Sequence, residues 1–150
     1  MASLPPSLEV LDLTNSELPP SVSLAHLSQL RVLHTYCSSI DDITMSSLPS
    51  SLTEFTLVSC TLMRTASFAH LHALYALSVI SCDLSNELLL TLPPSLVSLT
   101  AVCCTVTPTA VLPLLPALRT LVVRDTGIGD GFVASLPAGL VKLYMVSCDS

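Results

Sequence analysis

The sequence predicts a solenoid, a single domain over residues 1–150 built from seven coils of 22 residues that stack on one another. Three observations predict it. The eleven residues from Leu8 to Leu18 read LEVLDLTNSEL, and this pattern returns at Leu30, Leu52, Leu74, Leu96, Leu118 and Leu140 without an insertion. The apolar content is high, at 51%, yet only 4% of the residues are aromatic, so the hydrophobic positions are aliphatic and recur in columns. Only 11% of the residues are charged, where roughly 25% is usual for a globular domain.

Counting each coil from its first leucine, position four is Leu11, Leu33, Phe55, Leu77, Leu99, Leu121 and Leu143. Position six is Leu13, Thr35, Leu57, Val79, Ala101, Val123 and Met145. Position nine is small, running Ser16, Ser38, Cys60, Cys82, Cys104, Thr126 and Cys148, and position eleven is aliphatic from Leu18 to Ile128, failing only at Ser150. A single coil cannot bury positions four and six by itself, so stacking is obligatory.

This LxxLxLxx(N/C)xL register resembles the leucine-rich repeat family from about Leu4 to Ser150. The 22-residue length resembles the short class found in a regulatory subunit of a eukaryotic Ser/Thr phosphatase, and cysteine at position nine resembles intracellular cysteine-containing repeats. The resemblance implies an α/β fold: a right-handed solenoid, or horseshoe, with a parallel β-sheet on its concave face. Short helices, 3₁₀ turns and loops would lie on the convex face. Strands are expected to centre on Val10, Val32, Glu54, Ala76, Ser98, Thr120 and Lys142. At about 4.8 Å per coil, the array would be roughly 30 Å long.

A second period of 44 residues overlies the first. Odd coils follow Leu4-Pro-Pro-Ser, Leu48-Pro-Ser-Ser, Leu92-Pro-Pro-Ser and Leu136-Pro-Ala-Gly, whereas even coils follow Ala25-His-Leu, Ala69-His-Leu and Leu114-Leu-Pro-Ala. After the even strands, Asp41, Ser85 or Asn86, and Asp130 stand where a short helix would be capped. Odd coils should be more irregular, with Thr107-Pro108 their one comparable helix start.

Composition excludes several functions. The net charge is −6 with five basic residues, which cannot neutralise a run of phosphates or dock an anionic membrane, so neither nucleic acid nor membrane is expected as a partner. No apolar run reaches the roughly 18 residues of a membrane span, and the start lacks the basic and apolar regions of a secretory signal, so an intracellular, cytoplasmic protein is expected.

No arrangement for catalysis, metal or cofactor stands out. Cys60, Cys82, Cys104 and Cys148 share one repeat column and read as buried, reduced thiols, while Cys37 and Cys103, one place earlier, are the candidates for reactivity. His26 and His70 sit in equivalent contexts 44 residues apart, too far to share a metal. Gly127, Gly129 and Gly131 lack the Lys-Ser/Thr that completes a phosphate loop.

Strand positions three, five and seven leave the opposite face free by the period-two rule. Position seven reads Thr14, Tyr36, Val58, Ile80, Val102, Arg124 and Val146, giving an apolar stripe about 15 to 20 Å long, and position five beside it includes Asp12, His34, Thr56, Ser78, Thr100, Val122 and Tyr144. A protein segment binding to Tyr36, Val58, Ile80, Val102, His34, Arg124 and Tyr144 is therefore the expected function, without catalysis. The alternatives are a structural spacer that self-associates end to end through uncapped coils, or the recognition array of a larger surface or signalling protein. The absence of polar caps marks the chain as an expected part of a longer array or of an end-to-end stack.

Overall fold

A computed structural model describes residues 4–14, 16, 18–63 and 65–146. The protein is α/β. Its main sheet has seven parallel strands: β1 (Val10–Asp12), β2 (Val32–Tyr36), β4 (Glu54–Val58), β6 (Ala76–Ile80), β8 (Ser98–Val102), β10 (Thr120–Arg124) and β11 (Lys142–Val146). They lie side by side in chain order, each paired with the next at an offset of 22 residues, as in Leu33↔Phe55 and Leu77↔Leu99. Two small parallel pairs lie apart from it: β3 (Ser39–Ile40) with β5 (Thr61–Leu62), and β7 (Asp83–Leu84) with β9 (Thr105–Val106).

The strands begin, rather than centre, on the residues expected from the pattern. Each one runs from position three, and position one belongs to a turn in which the N–H of the leucine reaches back three residues. Leu8, Leu52, Leu96 and Leu140 donate to Pro5, Pro49, Pro93 and Pro137, and Leu30, Leu74 and Leu118 donate to Leu27, Leu71 and Leu115. The proline rings therefore sit where no ladder hydrogen is needed. Within the strands, burial alternates in step with the pleat: positions four and six face the core. Leu33, Phe55, Leu77, Leu99 and Leu121 stack there with the position-one leucines from Leu30 to Leu118, and Phe55 meets the edge of Phe68 at 6.4 Å between ring centres. Burying each leucine stabilises the fold by about 1.5–3 kcal/mol.

The 44-residue period reappears, among the described residues, as three short helices after the main-sheet strands of the even coils: α1 (Asp42–Ser46), α2 (Asn86–Leu89) and α3 (Asp130–Ala134). Asp41 caps α1 by accepting the Thr44 N–H at 2.9 Å, and Ser85 caps α2 by accepting that of Leu88 at 3.2 Å. In α3 the cap is Gly129, not Asp130, and Asp130 is the first helical residue. A Cβ on Gly129 would lie 2.2 Å from the Pro108 carbonyl oxygen, so the backbone of the preceding coil excludes any side chain there. Thr107-Pro108 starts no helix. The Ala110 N–H closes one turn onto Thr107, and Pro113 and Pro116 then deny the segment further helical donors.

Two devices join the coils outside the main sheet. The hydroxyl that follows each helix, on Ser47, Thr91 and Ser135, donates to a helical carbonyl and accepts the N–H of Leu24, Phe68 or Leu112 from the preceding odd coil, at 2.8–3.0 Å. The small strand pairs instead tie the second coil to the third and the fourth to the fifth. Among the described residues, no helix is long and apolar enough to cross a membrane.

Candidate interaction face

The face of the sheet turned away from the core carries positions three, five and seven. Its register places Tyr36 beside Val58, Val58 beside Ile80, Ile80 beside Val102, Val102 beside Arg124 and Arg124 beside Val146. Val58, Ile80 and Val102 are half-buried because each β-branched side chain is shielded by those on the strands about 4.8 Å to either side, whereas Tyr36 and Arg124 are exposed at the ends of the row. Thr14 does not join it. β1 stops at Asp12, and the Thr14 N–H and hydroxyl both turn onto the Asp12 carboxylate. The hydroxyl, then the N–H, hold that carboxyl below its usual range, with a smaller contribution from His34, whose Nδ1 lies 3.9 Å away.

Position five forms a parallel polar row, Thr56, Ser78 and Thr100, beside the apolar one. His34 and Tyr144 occupy this row too, but on β2 and β11, five strands apart, or about 24 Å, so they do not act on one small group. The pattern did not reveal Tyr75, whose hydroxyl donates to Glu54 Oε1 at 2.5 Å on the rim of the same face; this bond pushes the phenol above its ordinary pKa. Tyr75 and Glu54 are 21 residues apart, one short of the period, which is why column reading passes over them.

Where the chain leaves each strand, position eight takes a left-handed backbone without glycine: Cys37, Ser59, Ser81, Cys103 and Asp125 all have φ between 46° and 53°. Such a conformation costs about 1–2 kcal/mol for a residue with a Cβ. It is held by the next coil, because the N–H of each residue donates to the position-seven carbonyl of the following strand, from Cys37 to Val58 through to Asp125 to Val146. The turn aims position nine inward. Ser38, Cys60, Cys82 and Cys104 are buried there, and each donates to the position-seven carbonyl of its own coil. The adjacent Cys60 sulfur, with burial, pushes the Cys82 thiol up, and burial does the same to Cys104. Cys37 and Cys103 are exposed and Cys148 lies outside the described residues. All five described cysteines are free thiols.

On the other side, a hollow of about 590 Å³ lies against α2, lined by Leu62, Met63, Asp83, Glu87, Leu88 and Thr105 among others, with neither cysteine nor histidine in its walls. Among the described residues, no cluster of three or more His, Cys, Asp or Glu side chains could hold a metal ion. His70 stands apart from His26: it is half-buried, and loss of solvent lowers its pKa, whereas His26 is exposed. No model of a known protein family matches this sequence, and no curated protein matches it.

Proposed function

We propose that this chain is a leucine-rich repeat solenoid whose parallel sheet lines a concave surface, and that it is a non-catalytic module that binds a protein segment there. The observation that carries this reading is the row Val58, Ile80 and Val102. Three branched apolar side chains lie in register on the sheet face that the core does not use, with Thr56, Ser78 and Thr100 as a polar border. Such a stripe suits an extended or helical segment that presents an apolar ridge, with hydroxyl groups alongside for its polar edge. Tyr36 and Arg124 close the row at either end and belong to the residue types that anchor interfaces. The right-handed horseshoe rests on the LxxLxL register, and a cytoplasmic setting is consistent with free thiols. The non-catalytic reading is supported by the repeat columns, which account for the serines, cysteines and histidines as parts of the coil.

The test compares two aspartates. Ile80→Asp should leave the far-ultraviolet circular dichroism intact and weaken capture of partners by the immobilised protein by about 2 kcal/mol or more, since the charge falls in a desolvated contact. Leu77→Asp, with its side chain in the core, should unfold the chain. A folded Ile80→Asp protein that retains every partner would remove the sheet face from consideration.

A further inference from the structure

The charges on the free face of the main sheet are sorted by sign. At positions three, five and seven the acidic residues are Asp12 on β1 and Glu54 on β4, and the basic ones are Arg124 on β10 and Lys142 on β11. Between them, β6 and β8 carry no charged residue. Glu54 and Arg124, both on internal strands, bound this neutral middle. Tyr75 donates to one oxygen of Glu54, and no described residue bonds the other. Among the described residues Arg124 forms no ion pair, and the neighbouring Asp125 carboxylate lies 3.8 Å from the Cys103 sulfur.

Ser78 and Thr100, at position five of β6 and β8, lie beside the line from Glu54 to Arg124. Their half-buried hydroxyls bond to no described group. The hydroxyls of Ser51, Thr53 and Ser95, on the way into the strands, are by contrast all spent on carbonyls of the preceding coil. Ile80 and Val102 run along one side of that line.

We infer that the segment bound by this face is extended and doubly charged: a basic residue sits on Glu54, an acidic residue on Arg124, and the main chain crosses β6 and β8 over Ser78 and Thr100. This rests on the reading of the sheet face as a binding surface and adds the chemistry of the occupant. Three strand spacings and four residues of rise place Glu54 and Arg124 about 20 Å apart, a span covered by about six extended residues. The opposite charges of the segment therefore stand about five to seven positions apart, with apolar side chains between them resting on Ile80 and Val102. A helix would need about thirteen residues to cover the same distance. Its main-chain groups are also already paired, whereas an extended chain offers each hydroxyl a free N–H or C=O.

Selection of phage-displayed random peptides of about ten residues on the immobilised chain tests this. Recovered peptides should carry a Lys or Arg and an Asp or Glu at that spacing, with apolar residues between. On Arg124→Glu the acidic residue should give way to a second basic one, and on Glu54→Lys the basic residue to a second acidic one. The most enriched wild-type peptide, synthesised with a fluorescent label, should bind Arg124→Glu about tenfold more weakly by anisotropy. Thr100→Val keeps the side-chain shape and spends no internal hydrogen bond, so it should bind that peptide about two- to tenfold more weakly. Added salt should weaken binding to the wild type. Peptides that need Ile80 but show no paired charges, or that bind as helices, would overturn the inference and leave the binding face standing. Peptides that bind Ile80→Asp, Glu54→Lys and Arg124→Glu as well as the wild type would overturn both, and recovery of no peptide would overturn the inference.

Discussion

Replacing Cys82 with alanine should destabilise the protein far more than replacing it with serine. The Cys82 sulfur accepts the buried Cys60 N–H at 3.2 Å and donates to the Ile80 carbonyl at 3.2 Å. Alanine keeps the backbone but removes the acceptor, and an unpaired buried N–H costs about 1–3 kcal/mol. The methyl-sized void left by the sulfur adds about 1 kcal/mol, for a total of about 2–4 kcal/mol. Serine is different, because position nine of the second coil already holds one. The Ser38 hydroxyl accepts the Leu18 N–H, from position eleven rather than nine of the preceding coil, at 3.2 Å and donates to the Tyr36 carbonyl at 2.9 Å, so a hydroxyl here also takes one amide hydrogen and gives one of its own. Cys82→Ser should therefore lose less than about 1 kcal/mol, consistent with the net value of one hydrogen bond. Urea unfolding followed by circular dichroism reads both values, and in a thermal scan each kcal/mol should move Tm by about 2–4 °C at this chain length. An alanine variant within 0.5 kcal/mol of wild type, at about the limit of such measurements, would refute the ladder as described. A serine variant as unstable as the alanine one would refute it equally.

Three further outcomes follow from the same geometry. The hydrogen bond from Ser21 at 2.7 Å, and then the Thr44 N–H, lower the Asp41 pKa to about 2, so its stabilising effect is complete above the ordinary 3.8 and lost as pH falls through about 2. Asp41→Asn should remove that portion of the acid dependence, and an unchanged acid-unfolding profile would contradict the cap. Ser81→Gly relieves a left-handed residue whose N–H bond to Val102 is retained, so it should stabilise by about 0.5–1 kcal/mol, while Ser81→Val should destabilise. Among the described cysteines, a thiol reagent should modify Cys37 and Cys103 rapidly in the folded protein, and Cys60, Cys82 and Cys104 only on unfolding; peptide mapping after brief labelling distinguishes them.

Much of this fold can be read from the chain because seven copies average out the ambiguity of any one. A lone Leu-x-Leu does not distinguish strand from helix, but position four repeated from Leu11 to Leu143 allows one inward face. The alternation of helix-bearing coils was equally legible, since Asp41 and Ser85 are recognisable caps spaced by 44 residues. The expected strand centres fell two residues early because the first leucine of the motif, although fully buried from Leu30 to Leu118, belongs to the turn that precedes the strand. Thr107-Pro108 has the local chemistry of a helix start, and Pro113 and Pro116 downstream override it. The left-handed position eight carries no glycine, so its conformation is imposed by a hydrogen bond to the next coil and leaves no compositional mark. The clamp from Thr91 to Phe68 joins residues 23 apart through one hydroxyl and one backbone N–H, a pairing that no single column displays. On the candidate face, the row from Tyr36 to Arg124 was legible, but its start was not: Thr14 shares the column and is drawn out of it by the neighbouring Asp12 carboxylate.

The two different seams between coils set the quantum in which this protein can change length. An odd-to-even seam needs a helix-terminal hydroxyl on the later coil, as at Ser47, Thr91 and Ser135, and an even-to-odd seam inside the array uses a strand pair such as β7 with β9. Excising 44 residues from the middle rejoins like with like and preserves both kinds of seam, so a five-coil protein should fold with the same cooperativity. Excising 22 residues keeps every leucine in its column yet sets two coils of one kind against each other, where the hydroxyl finds no amide to receive. The gene for such an array can therefore lengthen or shorten freely only by pairs of coils, although its hydrophobic pattern alone would tolerate single ones.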